Sequence, residues 1–412
     1  MPTIPQRPTG LRMDDIRRVD LNVLAVTLSA FPGGTDRSLR NLAYALEGSD
    51  IRITLGGPAD SDLQKWWTGS GLQYLPLDLP ERVGITGPGG HRTSPWELAR
   101  MGLRTVRSIR RICKEAARFD VIHSNWLLTH LDAVIAGKLT KKPVVMEIHD
   151  IVPPGPGRRI LTEAASRASV SVSVSNAVRG QLAESAQQNA VTIHQGIDTD
   201  LFSPGPRDSA LRNELTQGNP SARIAAVIAR LDPGKGIEHA IEAVGIVNRR
   251  YGRDVHLIIL GAPAVDDGSY ATMVRAQAAE VLPERHLFLP PREDVVNILR
   301  SVDMLLAPSI DEPFGLVAAE AQSVGVPVVV SDSGGLPEFV LDGTTGYVVA
   351  TAAPGAIAGA IDELIADPSG VMKMSVAARN HMVAEFDIRR RAERMRDQYW
   401  SVMADDEGGR RR

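Results

Sequence analysis

Two glutamates eight positions apart, Glu312 and Glu320, bracket the stretch Glu-Pro-Phe-Gly-Leu-Val-Ala-Ala-Glu. The apolar run Asp303 to Ala307 before it reads as a strand. The chain then turns at Phe314, Gly315 and Leu316 into a helix running to about Val324. The first amides of such a helix have no partner inside it, and its macrodipole adds partial positive charge, so the mouth suits an anion such as a phosphate. Gly315 has no Cβ to hold a ligand away from the backbone. Helical side chains lean toward the N-terminus, which lets the Glu320 carboxylate reach back to the same mouth. A ligand carrying phosphates and hydroxyls fits there. The plainer alternative makes Glu312 a solvated turn residue and Glu320 an ordinary helix-surface charge.

Four further junctions after strands carry chemistry. The strand Ile224 to Ala229 ends in Arg230-Leu-Asp-Pro-Gly-Lys235-Gly, followed by a helix with Ile237, Ala240, Ile241 and Val244 on one face. Arg230 offers a planar fork and Lys235 a mobile point charge, and together they can grip two phosphates. A capped turn with two surface cations is the alternative. The first strand runs into Pro32-Gly33-Gly34-Thr35, which lacks both the Walker lysine pattern and the third glycine of the dinucleotide fingerprint. A plain tight turn accounts for it equally well. His149-Asp150 follows the strand Val144 to Ile148. A histidine there can bond a sugar hydroxyl or an acceptor, or serve as a hydrogen-bonded loop residue. Ser333-Gly334-Gly335-Leu-Pro-Glu338 opens another helix in the same way.

The elements that must position these residues recur along the chain. Val23 to Leu28, Ile51 to Leu55, Val121 to His123, Val144 to Ile148 and Val170 to Val174 are short β-branched runs. They alternate with amphipathic segments such as Asp36 to Leu46 and Pro95 to Phe119. That alternation predicts a parallel, doubly wound α/β sheet. The pattern restarts after residue 220, with strands at Ile224 to Ala229, Val255 to Leu260, His286 to Leu289, Met304 to Ala307, Val326 to Val330 and Tyr347 to Val349. A chain of 412 residues exceeds one ordinary core, so two domains follow. The expected division is 1–200, a Pro-, Gly-, Asp- and Ser-rich linker at 201–220, 221–385, and a last helix with a disordered tail at 386–412. Ligands of such sheets sit beyond the carboxyl ends of the strands, so two facing domains make one cleft.

Bulk properties narrow the partners. Hydrophobic residues are 43% and charged residues 23% of the chain, as in an ordinary globular protein. A net charge of −3 gives no general pull toward nucleic acid, no apolar run is long enough to span a membrane, and Met1 to Arg18 has no signal-type apolar centre. A cytoplasmic protein, monomer or homodimer, is expected. The single cysteine, Cys113, excludes an internal disulfide, and the nine histidines form no ligand cluster, so no metal is expected.

In order and spacing, Gly33-Gly34, His149, Arg230 through Gly236 and Glu312 through Glu320 resemble the retaining GT-B glycosyltransferases of family 4 across nearly the whole chain. Asp120 to His123, Gly196-Ile-Asp198 with Phe202, and Gly334-Gly335 with Glu338 and Gly346 look like the same family's landmarks. The resemblance implies a GT-B fold of two Rossmann-like domains. It implies a nucleotide-sugar donor, UDP-sugar by default, held by the second domain, and an acceptor held by the first. Arg230 and Lys235 would neutralise the diphosphate and Glu312 would hold donor sugar hydroxyls. Phe314, Gly315 and Leu316 would present backbone amides, and Glu320 would accept from the ribose. His149 would lie beside the reacting sugar, and Gly33 and Gly34 would approach the sugar-phosphate. No cofactor is implied, and the last helix would cross back to the first domain.

The chain departs from the family at His194-Gln195-Gly196, where Pro-Asn-Gly is usual, at Pro290-Pro291, and in the loop Ala262 to Gly268. Base specificity stays open for that reason. Arg100, Arg104, Arg107, Arg111, Lys114 and Arg118 form a basic stripe opposite Val106, Ile109 and Cys113. It reads as a solvated face over a core-packing helix, with peripheral membrane docking the less favoured reading. Leu79 to Pro95 reads as a long lid-like loop on the acceptor side. Rival functions are a GT-B sugar-nucleotide epimerase and a non-catalytic sugar-nucleotide binding module. A dehydrogenase fits poorly without a GxGxxG after the first strand.

Overall fold

Val255–Leu260 carries six consecutive apolar or imidazole side chains that are all buried, a pattern that only a strand covered on both faces can satisfy. The computed structural model describes residues 20–79, 95–219, 221–263 and 268–410. The segment Met1–Arg18, most of the expected lid and part of the 262–268 loop lie outside the described residues.

Seven strands build the first sheet: β1 Leu21–Val26, β2 Ile51–Pro58, β3 Tyr74–Leu77, β4 Val121–Ser124, β5 Val144–Ile148, β6 Val170–Ser173 and β7 Ala190–Thr192. Their spatial order is β3-β2-β1-β4-β5-β6-β7, and every pairing is parallel. Six strands build the second: β8 Arg223–Ile228, β9 Val255–Leu260, β10 His286–Leu289, β11 Met304–Ala307, β12 Val328–Ser331 and β13 Tyr347–Val349. These run β10-β9-β8-β11-β12-β13, again all parallel. The strand order reverses between β1 and β4 in one sheet and between β8 and β11 in the other. Crevices at the carboxyl ends of those strands are where such sheets take ligands. This is the GT-B architecture of two Rossmann-like lobes. One hydrophobic cluster runs from Leu24 and Ile122 in the first lobe to Ile224, Phe314 and Phe386 in the second, so the lobes share packed side chains.

The last helix, Ile388–Arg410, belongs by packing to the first lobe. Ala392, Met395, Tyr399 and Val402 are buried with Leu39, Leu42 and Val145 there. The chain is delivered by paired bonds between Ile197 and the turn before the helix, Ile197 N–H to Phe386 O at 2.8 Å and Ile388 N–H to Ile197 O at 2.9 Å. A Cβ on Gly196 would stand 2.7 Å from the Ile388 Cα, so that crossing requires a glycine.

Several expectations are corrected. Strands β3 and β7 are additional. The segment taken as a plain linker contains a helix, Ser209–Leu215, whose Leu211 and Leu215 are buried and whose Arg212 binds the Asp303 carboxylate at 2.9 Å. An apolar pair at i, i+4 and a cation over a buried acid dock it onto the second lobe. The helix Ile388–Arg410 passes Asp405, where disorder was expected, because no Pro or Gly interrupts it before Gly408. On the helix Pro95–Ala116, Ile109 and Cys113 face inward with Ile112 and Ala116, but Val106 is 46% exposed beside Leu103. From residue 102 onward, the first fully buried position is therefore Ser108. Among the described residues no helix is long and apolar enough to cross a membrane.

Candidate functional site

The second lobe builds its wall from the loops after β8, β11 and β12. After β8 the Asp232 carboxylate accepts from Gly234 N–H at 3.0 Å, and Gly236 turns with φ +60. A Cβ on Gly236 would stand 2.2 Å from the Pro308 carbonyl oxygen, so this loop and the one after β11 touch backbone to backbone. That contact delivers Lys235 to Glu312. The lysine Nζ lies 2.8 Å from Glu312 Oε2, which also accepts from the Ser309 hydroxyl at 3.1 Å. Both side chains are largely covered, 21% and 17% exposed. Arg230 differs. Its side chain is 72% exposed, with the Asp232 carboxylate 3.3 Å from its guanidinium.

Gly334 and Gly335 lock the Glu312 loop from the other side. Gly335 N–H donates to the Glu312 carbonyl at 2.8 Å, and a Cβ on Gly334, at φ +57, would fall 1.9 Å from that oxygen. Gly315 precedes the helix Leu316–Val324 at φ +103, and no side chain caps the helix start. The first amides there are left for a ligand. Phe314 contributes backbone only, since its ring is buried against Phe339 with centroids 4.9 Å apart. Leu316 is half-buried at the helix start. Glu338 ties this wall to the first lobe. Its carboxylate accepts from Asn176 and Ala177 N–H, both at 2.8 Å, and from His194 Nε2 at 2.7 Å.

Glu320 faces the cleft four residues into the helix. Its own surface is part-exposed, yet protein from both lobes surrounds it, and this desolvation pushes its carboxyl up to about 8 against the pull of Arg37 on the opposite lobe. The sign has a consequence. A carboxyl with an unfolded value of 4.5 and a folded value of about 8 binds more protons when folded. Its contribution is complete below about 4.5 and is lost as pH rises toward 8. Glu320→Gln is therefore expected to melt like the parent at pH 5 and progressively higher than it toward pH 9. Parallel melting curves of the two proteins across that range would contradict the burial of this acid.

The first lobe faces it with the loops after β1, β4, β5 and β7. Gly33 precedes the helix Gly34–Ala45 at φ −113, and its N–H donates to the Asp36 carboxylate at 3.0 Å. Burial pushes Asp36 up to about 6. Neither Gly33 nor Gly34 has a positive φ, and a Cβ on Gly34 would meet nothing within 4 Å. Local folding does not demand these glycines. They leave bare backbone and open space at the cleft, as ligand approach requires.

His149 sits at the end of β5 as expected, and both nitrogens of its ring are engaged by protein. It is 8% exposed, Nε2 lies 3.1 Å from Asn125 Oδ1, and Nδ1 lies 3.1 Å from Gln195 Nε2. Burial lowers its pKa to about 4, so it is neutral at pH 7. Beneath it the Arg391 guanidinium, from the last helix, binds Glu147 Oε1 at 2.6 Å and the Ser38 carbonyl at 3.1 Å. Next to His149, Asp150 is raised by burial, with Arg230 of the other lobe as its opposing charge. The two walls thus face each other through Asp150 and Arg230 and through Arg37 and Glu320. Among the described residues no three His, Cys, Asp or Glu side chains group as metal ligands.

Gln195, Asn125, Glu147, Arg391, Arg37 and Asp150 escaped the sequence reading as site residues. One signal was present: Glu147 stands inside the apolar run Val144–Ile148, and a buried carboxylate in a strand requires a buried cation.

Two family models match this chain. Glycosyltransferase Family 4 covers residues 32–201, and Glycosyl transferases group 1 covers residues 214–381. Among curated relatives, a D-inositol 3-phosphate glycosyltransferase of Mycolicibacterium gilvum is 31% identical over 62% of this chain and 61% of its own length. The protein of the same name from Mycobacterium marinum is 29% identical over 98% of this chain and 91% of its own. The chain spans about three-fifths of the length of the relative first named. Among solved structures, that of Anabaena Alr3699/HepE in complex with UDP-glucose superposes with a TM-score of 0.79 at 22% identity, over 92% of this chain and all of that one. Sucrose-phosphate synthase from Thermosynechococcus elongatus gives 0.75 at 18%, over 93% and 100%. These likenesses establish the shared fold.

Proposed function

The chain belongs to the family 4, group 1 glycosyltransferases of GT-B fold, and from that premise we propose that it moves a sugar from a nucleoside-diphosphate sugar to an acceptor hydroxyl with retention at the anomeric carbon. The observation that carries this reading is the convergence of Lys235, Glu312 and the uncapped helix start after Gly315 on one wall of the cleft. A cation and free amides there suit a pyrophosphate, and an anchored carboxylate beside them suits sugar hydroxyls. Arg230, exposed at the tip of β8, is the second cation for the same diphosphate.

The proposed step is a front-face substitution. The bond from the anomeric carbon to the diphosphate oxygen breaks, the acceptor oxygen bonds to that carbon on the same face, and the hydroxyl proton passes to the departing phosphate. Charge grows on the leaving group, so Arg230 and Lys235 act where the transition state differs most from the bound donor. Glu312 orients the sugar, and Glu320 meets the ribose. No dedicated protein base is needed. His149 then serves as a support of the acceptor-side floor.

UDP-hexoses are the first donors to test, because a neighbour of the same fold was solved with UDP-glucose. The relatives' name makes a phosphorylated cyclitol the first acceptor. Calorimetry with UDP-, GDP-, ADP- and dTDP-sugars, followed by acceptor-dependent nucleotide release and NMR of the product anomer, tests the proposal. Binding of none of the four classes would end it. Nucleotide release without acceptor would favour an epimerase, and tight binding without turnover a binding module.

A further inference from the structure

Four loops of the first lobe meet beneath the cleft through a single chain of side-chain hydrogen bonds. The Ser38 hydroxyl, on the helix after β1, donates to Gln195 Oε1. Gln195, on the segment after β7, presents its amide nitrogen to His149 Nδ1 at 3.1 Å. The other ring nitrogen of His149 lies 3.1 Å from Asn125 Oδ1, on the loop after β4, and the Asn125 amide nitrogen lies 3.4 Å from the Thr35 carbonyl beside Gly33 and Gly34. Gln195 and His149 are 3% and 8% exposed, and Ser38 and Asn125 are buried with them.

The direction of this chain is set from its Thr35 end. The Thr35 carbonyl only accepts, so it holds the Asn125 NH2 and turns Oδ1 toward Nε2, which must then carry the proton. In the neutral ring Nδ1 then accepts from the Gln195 NH2, which leaves Gln195 Oε1 to the Ser38 hydroxyl, a group able to donate or accept. Glu147 Oε1, 3.6 Å from Nε2, favours the same form. We propose that Gln195 is a positioning residue that fixes His149 as the Nε2–H tautomer and so holds the loops after β1, β4 and β5 in register at the acceptor side of the cleft. Its kinetic consequence rests on the proposed transferase reading. The tautomer does not.

Gln195→Glu is the decisive variant, because a carboxylate still accepts from Ser38 but offers no hydrogen to Nδ1. Nitrogen-15 NMR of histidine-labelled protein, with His149 assigned by its absence in His149→Gln, is expected to show a neutral ring protonated at Nε2 in the parent. In Gln195→Glu the ring should move its proton to Nδ1 or take a second one. For transfer, kcat is expected to fall about tenfold while donor KM stays within about twofold, since the donor wall is untouched. Ser38→Ala, which frees the amide to turn, should give a mixed tautomer and a fall of about threefold, and it decides the matter if Gln195→Glu does not fold. A parent ring protonated at Nδ1, or an unchanged Nε2–H form in both variants, overturns the proposal. If no donor and acceptor pair turns over, the proposed function fails while the NMR result still judges the tautomer.

Discussion

Transfer by Lys235→Ala and by Glu312→Ala is expected to fall at least about a hundredfold each, about 3 kcal/mol in barrier. Under the proposed function the two residues act on different parts of the donor. Lys235 meets charge that grows on the leaving diphosphate, so its loss should appear in kcat more than in donor KM. Glu312 orients the sugar, and its loss should lower kcat/KM even where the nucleotide alone still binds. They are also each other's partner, with Nζ 2.8 Å from Oε2 in a site that covers most of both side chains. Removing either leaves the other misplaced, so Lys235→Ala/Glu312→Ala should lose much less than the sum of the single losses. Melting temperatures and UDP calorimetry on the same three variants separate loss of fold from loss of chemistry. Near-normal kcat/KM in both single variants would remove this pair from the site.

The architecture was legible because its signals are local. Val144–Ile148, Val255–Leu260, His286–Leu289, Met304–Ala307 and Tyr347–Val349 are strands at the expected residues, each a short, mainly apolar run between turns or helices. Strands β3 and β7 escaped notice for physical reasons. Tyr74–Leu77 is four residues with a proline inside, tolerable at a sheet edge where one N–H needs no partner, and Ala190–Thr192 is three residues at the opposite edge. The wall of the second lobe was legible as a set of residues too, since Arg230, Lys235, Glu312 and Glu320 come in two short motifs whose spacing survives folding. The buried network beneath the first lobe's side of the cleft was not. Ser38, Asn125, Glu147, Gln195 and Arg391 lie on five separate elements, and nothing in the neighbourhood of any one of them names the other four. His149 shows the difference in kind. Its place at a strand end is a local matter, whereas the engagement of both its nitrogens depends on residues 24 positions before and 46 after it.

That long-range network makes a second large effect predictable, in stability. Arg391 and Glu147 are 2% and 0% exposed at the side chain and lie 2.6 Å apart, which joins the last helix to the middle of the first sheet. Burial alone would raise the Glu147 carboxyl, but the Arg391 guanidinium, with His149 and His123 beside it, holds it well below the usual carboxylate range. Arg391→Met removes the main compensating charge and leaves an acid buried without it. Breaking a buried pair from one side removes about 3–5 kcal/mol, a large fraction of the whole stability of an ordinary domain. Replacing both members lifts the unpaired charge as well, so Arg391→Met/Glu147→Gln should recover most of the loss. The pH dependence carries the opposite sign to that of Glu320. With a folded pKa below the unfolded 4.5, Glu147 contributes fully above about that value and loses its contribution as the solution is acidified below it. Chemical denaturation at pH 7 and at pH 4 should therefore separate parent from Arg391→Met widely at the first pH and less at the second. A single variant as stable as the parent at pH 7, or a double variant no better than the single, would show that the last helix is held by its apolar face of Ala392, Met395, Tyr399 and Val402 alone.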